Sequence, residues 1–205
     1  MKLIDLTHTF TSSMPVYPGD PQPSLTQVAT LEKEGYNDHQ ITTVMHVGTH
    51  MDAPLHMIAH GKRMDEIPPE TFIGKGVLID ARGARLIDAN LLEGLTIEPG
   101  SIVLIYTGFG AKYRDRSYFE NFPTITEEFA KRVVESKVKI VGMDLPGPDQ
   151  PPFPIHKALL GNGILIIENL TNLDKLLGVT NFEVIALPAK LHADAAPARV
   201  IARIM

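Results

Sequence analysis

Two runs of consecutive apolar residues narrow the folds that are open to this chain of 205 residues. They are Ile102-Val103-Leu104-Ile105 and Ile164-Leu165-Ile166-Ile167. Both runs are short and rich in β-branched residues, which favours strands over helices. A continuously apolar strand is typical of a sheet that is covered on both faces. We therefore expect a sheet that is buried in the interior of the protein.

Other segments predict more strands and a smaller number of helices. The predicted strands are Lys2–Thr7, Ile41–Val47, Val77–Ala81, Ile102–Thr107, Lys139–Met143, Ile164–Glu168, Phe182–Leu187 and Val200–Ile204. The predicted helices are Ile87–Leu95, Glu127–Lys137 with Thr126 as its N-cap, His156–Leu160, and Leu173–Leu177 with Asn172 as its N-cap. The expected class is α/β, with α+β as the alternative, and a mixed β-sheet curled into a barrel-like core with flanking helices.

The size and composition of the chain exclude several classes of function. The length suits one domain over residues 1–205. A net charge of −5 without a long Lys/Arg run argues against nucleic acid or a membrane as partner. The absence of cysteine excludes disulfides, thiolate catalysis and Cys-ligated zinc. No apolar run approaches the roughly 20 residues of a membrane span, so we expect a cytoplasmic protein.

The segment 46–56 holds the most chemistry, because His46, His50, Asp52 and His56 fall within eleven residues. Histidine and carboxylate are common ligands of Zn²⁺ and similar ions. A helix would place His46 and His50 on one face, but Gly48 makes a helix unfavourable. We expect the strand Ile41–Val47 to end in a loop, followed by an extended stretch in which His50 and Asp52 point the same way.

A mononuclear catalytic site needs three protein ligands and an open position. His46, His50 and Asp52 can supply the ligands, which leaves His56 as a general acid or base. The alternative is a polar loop with unrelated imidazoles. Four other histidines belong to no such cluster, and we interpret them as ordinary surface or core residues: His8, His39, His60 and His192.

The spacing His-x-Gly-Thr-His-x-Asp-x-Pro-x-His resembles the signature of the cyclase family of metal-dependent hydrolases, which includes bacterial kynurenine formamidases and isatin hydrolases. All seven signature positions match, and the resemblance runs from Ile4-Asp5-Leu6-Thr7 to Pro197-Ala198-Arg199. It implies a swivelling β/β/α-like fold, a small-molecule substrate, and a homodimer or homotetramer. It also implies a second metal held by His156 and Glu168, with Asp52 as a bridge. The residues alone do not single out His156 or Glu168.

The resemblance implies hydrolysis of an amide-type C–N bond in N-formylkynurenine or a related aryl formamide, with His56 as proton relay. The expected cofactor is Zn²⁺, one or two per chain, with Mn²⁺ as the alternative. Tyr17 lies where kynurenine formamidases carry an aromatic residue near the substrate, usually Trp or Phe; packing within its Pro-rich loop is the other interpretation. The Pro/Gly-rich segment 144–149 departs from the formamidase pattern. The alternatives are a cyclic amide, imide or lactone hydrolase, and a metal- or ligand-binding protein without turnover.

Overall fold

The computed structural model describes residues 1–205 and contains twelve strands and three α-helices. The strands are β1 (Lys2–Asp5), β2 (Ser24–Ala29), β3 (Asp38–Thr42), β4 (His50–Asp52), β5 (Ile73–Asp80), β6 (Leu86–Ile87), β7 (Ile102–Tyr106), β8 (Thr124–Ile125), β9 (Ile140–Met143), β10 (Leu165–Glu168), β11 (Phe182–Pro188) and β12 (Ala195–Ile204). The helices are α1 (Leu31–Glu34), α2 (Glu127–Glu135) and α3 (Pro154–Gly161).

Seven strands close into a barrel in the order β12-β11-β5-β7-β9-β10-β4, because β4 pairs with β10 on one side and with β12 on the other. The strands β5, β7, β9 and β10 run parallel, and β4, β11 and β12 pair in antiparallel fashion. The first strand, β1, adds to β12 outside the closed ring. The prediction of a mixed sheet curled into a barrel with few helices is therefore confirmed.

The continuously apolar strands separate two hydrophobic cores. On β7, Ile102 and Leu104 point into the barrel, where they meet Phe182 and the strands around it. Their neighbours Val103 and Ile105 point outward and pack beneath the helices, including Phe129 of α2. Side chains alternate across a strand, so a strand that is apolar at every position serves both cores. This arrangement places β7, β9 and β10 at the centre of the molecule.

Helix α2 begins where the sequence predicts, since Thr126 Oγ1 accepts a hydrogen bond from the Phe129 amide at 3.2 Å. It ends at Glu135, two residues before the end of the expected segment. Helix α3 starts two residues before the predicted segment, at Pro154, a residue suited to a first turn. None of the three helices combines the length and the apolar character that a membrane crossing needs.

Two predicted helices are wrong. The segment Ile87–Leu95 begins in β6, which pairs with β8, and continues as a 3₁₀ turn over Ala89–Leu92. The segment Leu173–Leu177 is a 3₁₀ turn over Leu173–Leu176. Its expected cap, Asn172, has left-handed backbone angles and donates its side-chain amide to the carbonyl of Asp5 instead. A glycine with a positive φ ends the helical run shortly after each turn, Gly94 at +75° and Gly178 at +74°.

The predicted strand Ile41–Val47 is also wrong in its position. Pairing with β2 ends at Thr42, where β3 ends, and the chain then runs through bends up to His50. Gly48 has a φ of +71°, a value that glycine adopts readily and that breaks an extended run. The β-branched residues Val44 and Val47 therefore belong to a packed loop. The extended stretch predicted for His50 and Asp52 is confirmed, because it forms β4.

Candidate metal centre

Strand β4 brings the first ligand candidates together inside the barrel wall. His50 and Asp52 are fully buried and lie on the same side of the strand, with His50 Nε2 3.4 Å from Asp52 Oδ1. In the pairing of β4 with β10, Glu168 lies directly opposite His50. The two side chains meet, and Glu168 Oε2 is 3.4 Å from His50 Nε2. Strand β10 thus places the Glu168 carboxylate next to the His50 and Asp52 side chains.

His46 reaches the same point from the loop before β4. Its Nδ1 atom lies 2.9 Å from Asp52 Oδ1 and 3.3 Å from His50 Nε2. The turn between the two histidines depends on Gly48, because a Cβ atom there would lie 2.7 Å from the Met14 methyl. Thr49 fixes the loop by donating its hydroxyl to the Asn169 carbonyl at 2.6 Å. We call the convergent atoms of His46, His50, Asp52 and Glu168 the first ligand group.

His156 lies in the first turn of α3 and faces the other oxygen of Glu168. His156 Nε2 is 3.2 Å from Glu168 Oε1, whereas Glu168 Oε2 faces His50. Both His156 and Glu168 are buried. One carboxylate therefore lies between two imidazoles that come from different parts of the chain. We call His156, Glu168 and the adjacent Asp52 the second ligand group.

Each imidazole of the two groups has an acceptor behind its outer nitrogen. His46 Nε2 donates to Asp194 Oδ2 at 2.9 Å, and His50 Nδ1 donates to the Gly48 carbonyl at 2.9 Å. His156 Nδ1 donates to Asp149, which also accepts from the Ile155 amide. Such acceptors fix the tautomer so that the other nitrogen presents its lone pair, a common arrangement around metals. Neither Asp149 nor Asp194 is predicted from the sequence as a member of the site.

His56 lies beside the first ligand group, in the 3₁₀ turn Pro54–His56. Ala53 has the extended conformation expected before proline. The His56 ring is centred 4.1 Å from that of His46, and its Nδ1 lies 3.4 Å from Asp194 Oδ2. A ring nitrogen of His56 also falls within 4.8 Å of ligand atoms of His46 and Asp52. The geometry thus admits His56 either as a proton carrier or as a further ligand.

Several polar atoms of the first ligand group lack a suitable partner within the protein and would gain one from a metal ion. Both oxygens of Asp52 are buried without a well-aligned hydrogen bond, which is costly for a carboxylate in a protein interior. Two imidazole nitrogens whose outer partners are acceptors also face each other at 3.3 Å. A cation among these atoms would satisfy all of them at once. The donors are nitrogen and oxygen only, a set suited to Zn²⁺ or Mn²⁺.

Burial and the carboxylates of the site shift the pKa values of its histidines in opposite directions. Burial disfavours the charged form of His46, but the carboxylate of Asp52 next to its Nδ1 atom, together with that of Asp194, outweighs burial and raises its pKa to about 9. Burial also opposes the charge on His156, yet its bonds to Asp149 and Glu168 raise its pKa to about 10. Burial prevails for His56, whose pKa is lowered. Burial opposes the charge on His50 as well, yet Asp52 and Glu168 raise its pKa. In the metal-free protein at pH 7, His46 and His156 are therefore protonated and His56 is neutral.

Metal loading at pH 7 is expected to release at least about two protons per chain, one each from His46 and His156 with His50 as a further source, because a metal displaces the protons of its ligands. Apparent affinity should rise with pH until it passes the raised pKa values of about 9 and about 10. Calorimetric titration with metal in buffers of different ionisation enthalpy measures the number released. Equal heats in all buffers, together with an affinity that does not change with pH, would contradict this ionisation state.

A cleft of about 260 Å³ lies against both ligand groups. The imidazoles of His46, His56 and His156 face it, and its aromatic lining consists of Tyr17, Phe119, Phe122 and Phe153. The ring of Tyr17 packs edge-on against Phe119, with the ring centroids 5.7 Å apart. We call this space the aromatic cleft. The structure places Tyr17 at its wall and 42% exposed, so its ring is available to a bound molecule.

The other histidines lie outside the two ligand groups. His8 stacks on Tyr113 with centroids 3.8 Å apart, and burial lowers its pKa to about 4. His192 pairs with Asp65 at the surface. His39 and His60 are exposed. This agrees with their interpretation as ordinary residues.

Comparison with known proteins points to one family. The family model named Cyclase, described as "Putative cyclase", matches residues 4–150. A kynurenine formamidase from Geobacillus thermodenitrificans (strain NG80-2) is 33% identical over 98% of this chain and 97% of its own length. Isatin hydrolase A from Labrenzia aggregata superposes with a TM-score of 0.88 at 27% identity, covering 99% of this chain and 93% of that one. A protein described as a potential metal-dependent hydrolase with cyclase activity superposes with a TM-score of 0.83 at 31% identity, covering 100% and 98%.

Proposed function

Because the chain belongs to the cyclase family, we propose that it hydrolyses the amide-type C–N bond of an aryl formamide, with N-formylkynurenine as one candidate. As a family member it is a metal-dependent hydrolase that acts on C–N bonds other than peptide bonds. The observation that carries the proposal is the convergence of two imidazoles and two carboxylates beside an aromatic cleft. Such a cleft suits an aryl group, and the ligand atoms lie where its amide would sit.

We assign the ligands from the directions in which their atoms point. His46 Nδ1, His50 Nε2 and Asp52 would hold one ion, and His156 Nε2 and Glu168 would hold a second, with Asp52 available to both. We propose Zn²⁺ at these positions, with Mn²⁺ as the alternative. When bound, a divalent ion supplies a Lewis acid for the carbonyl and activates water near neutral pH.

His56 is proposed as the proton carrier. Its Nδ1–H donates to Asp194, so the lone pair of Nε2 is free, and its lowered pKa keeps it neutral and able to accept a proton at pH 7. Nε2 takes a proton from the attacking water as the C–O bond forms. It then gives that proton to the leaving nitrogen as the C–N bond breaks, which yields formate and an aryl amine.

Tyr17 is proposed to bind the aryl ring of the substrate. Its ring lines the aromatic cleft and is packed by Phe119 on one side. A stacking or edge-on contact with a substrate ring would contribute about 0.5–1.5 kcal/mol beyond area burial. The same contact with Phe119 agrees with the other interpretation, in which Tyr17 packs within its loop. The two roles are compatible, because Phe119 can hold the Tyr17 ring in place for a substrate.

We further propose a homodimer or homotetramer in the cytoplasm. The hairpin of β2 and β3 supports assembly, since Leu25, Val28 and Ile41 are 40%, 53% and 53% exposed, respectively. Exposed apolar side chains gathered on one element are typical of interaction surfaces. The absence of cysteine is compatible with a reducing compartment.

A substrate panel with metal removal tests the proposed activity. The purified protein is assayed with formanilide, N-formylkynurenine, isatin and a simple aryl lactone, before and after removal of metal by a chelator. We expect the formamides to give the highest kcat/KM, a loss of about a hundredfold or more on chelation, and recovery with Zn²⁺ or Mn²⁺.

Two other outcomes favour the alternative functions. Preference for isatin or the lactone would favour a cyclic amide, imide or lactone hydrolase, which the similarity to isatin hydrolase A supports. Tight metal binding with no turnover of any compound would favour a binding protein without catalysis. Activity that survives complete metal removal would contradict both ligand groups.

A further inference from the structure

Apart from the histidines of the ligand groups and His56, the only side chains lining the aromatic cleft that carry a charge near pH 7 are carboxylates. Its lining includes the carboxylates Asp20, Asp149 and Glu168, and it contains neither lysine nor arginine. Two more carboxylates, Asp52 and Asp194, lie just behind it against His46. Any carboxylate of this lining that the histidines or bound ions do not compensate would attract cations and repel anions, and the low-dielectric walls would strengthen the effect.

Asp20 differs from the other carboxylates of this region in having no partner. Asp52, Asp149, Glu168 and Asp194 each lie within 3.4 Å of at least one imidazole nitrogen. The carboxylate of Asp20 makes no hydrogen bond or ion pair with another group of the chain. Metal ions in the two ligand groups would compensate the inner carboxylates further, and they would leave Asp20 as the uncompensated charge of the cleft.

A tight turn positions Asp20 together with Tyr17. The Asp20 amide donates to the Tyr17 carbonyl at 3.0 Å, and Gly19 between them has a φ of +102°, which suits glycine. Both side chains of the turn line the aromatic cleft. A substrate ring beside Tyr17 would therefore share the aromatic cleft with the Asp20 carboxylate.

We propose that Asp20 is a specificity-determining residue, and that the cleft accepts aryl amides whose ring carries a neutral or positively charged substituent, such as an amine, in preference to a carboxylate. The inference rests on the proposed aryl amide hydrolysis and adds the charge class of the substrate. The attraction is electrostatic, so it weakens as salt is added.

Three formanilides that differ only in one ring substituent test the proposal: ethyl, aminomethyl and carboxymethyl at the same position. The metal-loaded enzyme is assayed at about 0.02 M and about 0.5 M ionic strength, where screening is weak and strong, respectively. We expect kcat/KM for the aminomethyl compound to exceed that for the carboxymethyl compound by about tenfold at low salt, with the ethyl compound between them. The ratio should shrink at high salt and fall to about twofold in Asp20→Asn.

The ratio of the two charged substrates cancels any general loss of activity in the variant. Asp174→Asn is the matched control, because it makes the same change of charge at an exposed position outside the cleft and should leave the ratio unchanged. A wild-type ratio near one, or an unchanged ratio in Asp20→Asn, would overturn the inference. If no formanilide is turned over, the proposed activity fails, and calorimetric binding of the same three compounds still measures the charge preference.

Discussion

Asp52→Asn is expected to remove both metal ions and at least about a thousandfold of the turnover. Asp52 lies between His46 and His50, at 2.9 Å and 3.4 Å from their inner nitrogens, and neither of its oxygens has a well-aligned hydrogen bond within the protein. Asparagine preserves the size of the side chain but replaces one metal-binding oxygen with an NH₂ group that cannot ligate. Elemental analysis and turnover of the preferred formamide, measured on the same preparation, test both parts.

The exposed Asp174→Asn variant controls for the loss of one negative charge and should keep full metal content and activity. Circular dichroism verifies that both variants are folded. If the Asp52→Asn protein retains two ions per chain and near-normal turnover, Asp52 is not a metal ligand. Retention of one ion with loss of the other would restrict Asp52 to a single ligand group.

His56→Ala is expected to lower turnover by about 10²–10⁴-fold while both metal ions remain bound. The reason is that the imidazole lies beside the first ligand group with its Nδ1 held by Asp194 and its pKa lowered by burial, the properties of a proton carrier. The measurement is kcat together with metal content. A shallower pH dependence of the residual rate is also expected, because the titrating group is gone.

His39→Ala is the matched control, since His39 is exposed and its ring lies outside both ligand groups. Loss of one ion from His56→Ala would show that His56 is a ligand, which its distance from His46 and Asp52 permits. Near-normal turnover with both ions present would contradict the role of His56 as proton carrier.

The parallel half of the barrel could be predicted from sequence because its strands bury both faces. The run from Ile102 and the run from Ile164 are apolar at every position, and the structure places them in β7 and β10. The hairpin of β2 and β3 could not be predicted in this way, because nearly all of its residues are exposed and no face is marked by burial. The short strand β4 contains one apolar residue, Met51, between two polar ones. It is extended because it pairs with β10 and β12, not because of local propensity.

The crowding of metal-compatible side chains in segment 46–56 was visible in the sequence, and the structure brings His46, His50 and Asp52 within 3.4 Å of a neighbour in that set. His156 and Glu168 could be named only through the family resemblance, because both lie far from segment 46–56 in the sequence and neither belongs to a local cluster of ligands. Asp194 carries no local signal, because its partner His46 is 148 residues away. Such contacts form only when the sheet closes into a barrel. The periodic pattern of apolar residues predicts single strands but not which distant strands meet.

Strand β4 is hydrogen-bonded along both edges, to β10 and to β12, in the ring that closes the barrel. His50 and Asp52 are thus held by the backbone of the sheet before any ion arrives. We therefore expect an ion to enter or leave without displacing the strand, so that ligand bonds and displaced protons dominate the free-energy cost. The fixed span between the donor atoms would set which ions fit, and their supply in the cell would decide which of the fitting ions is bound.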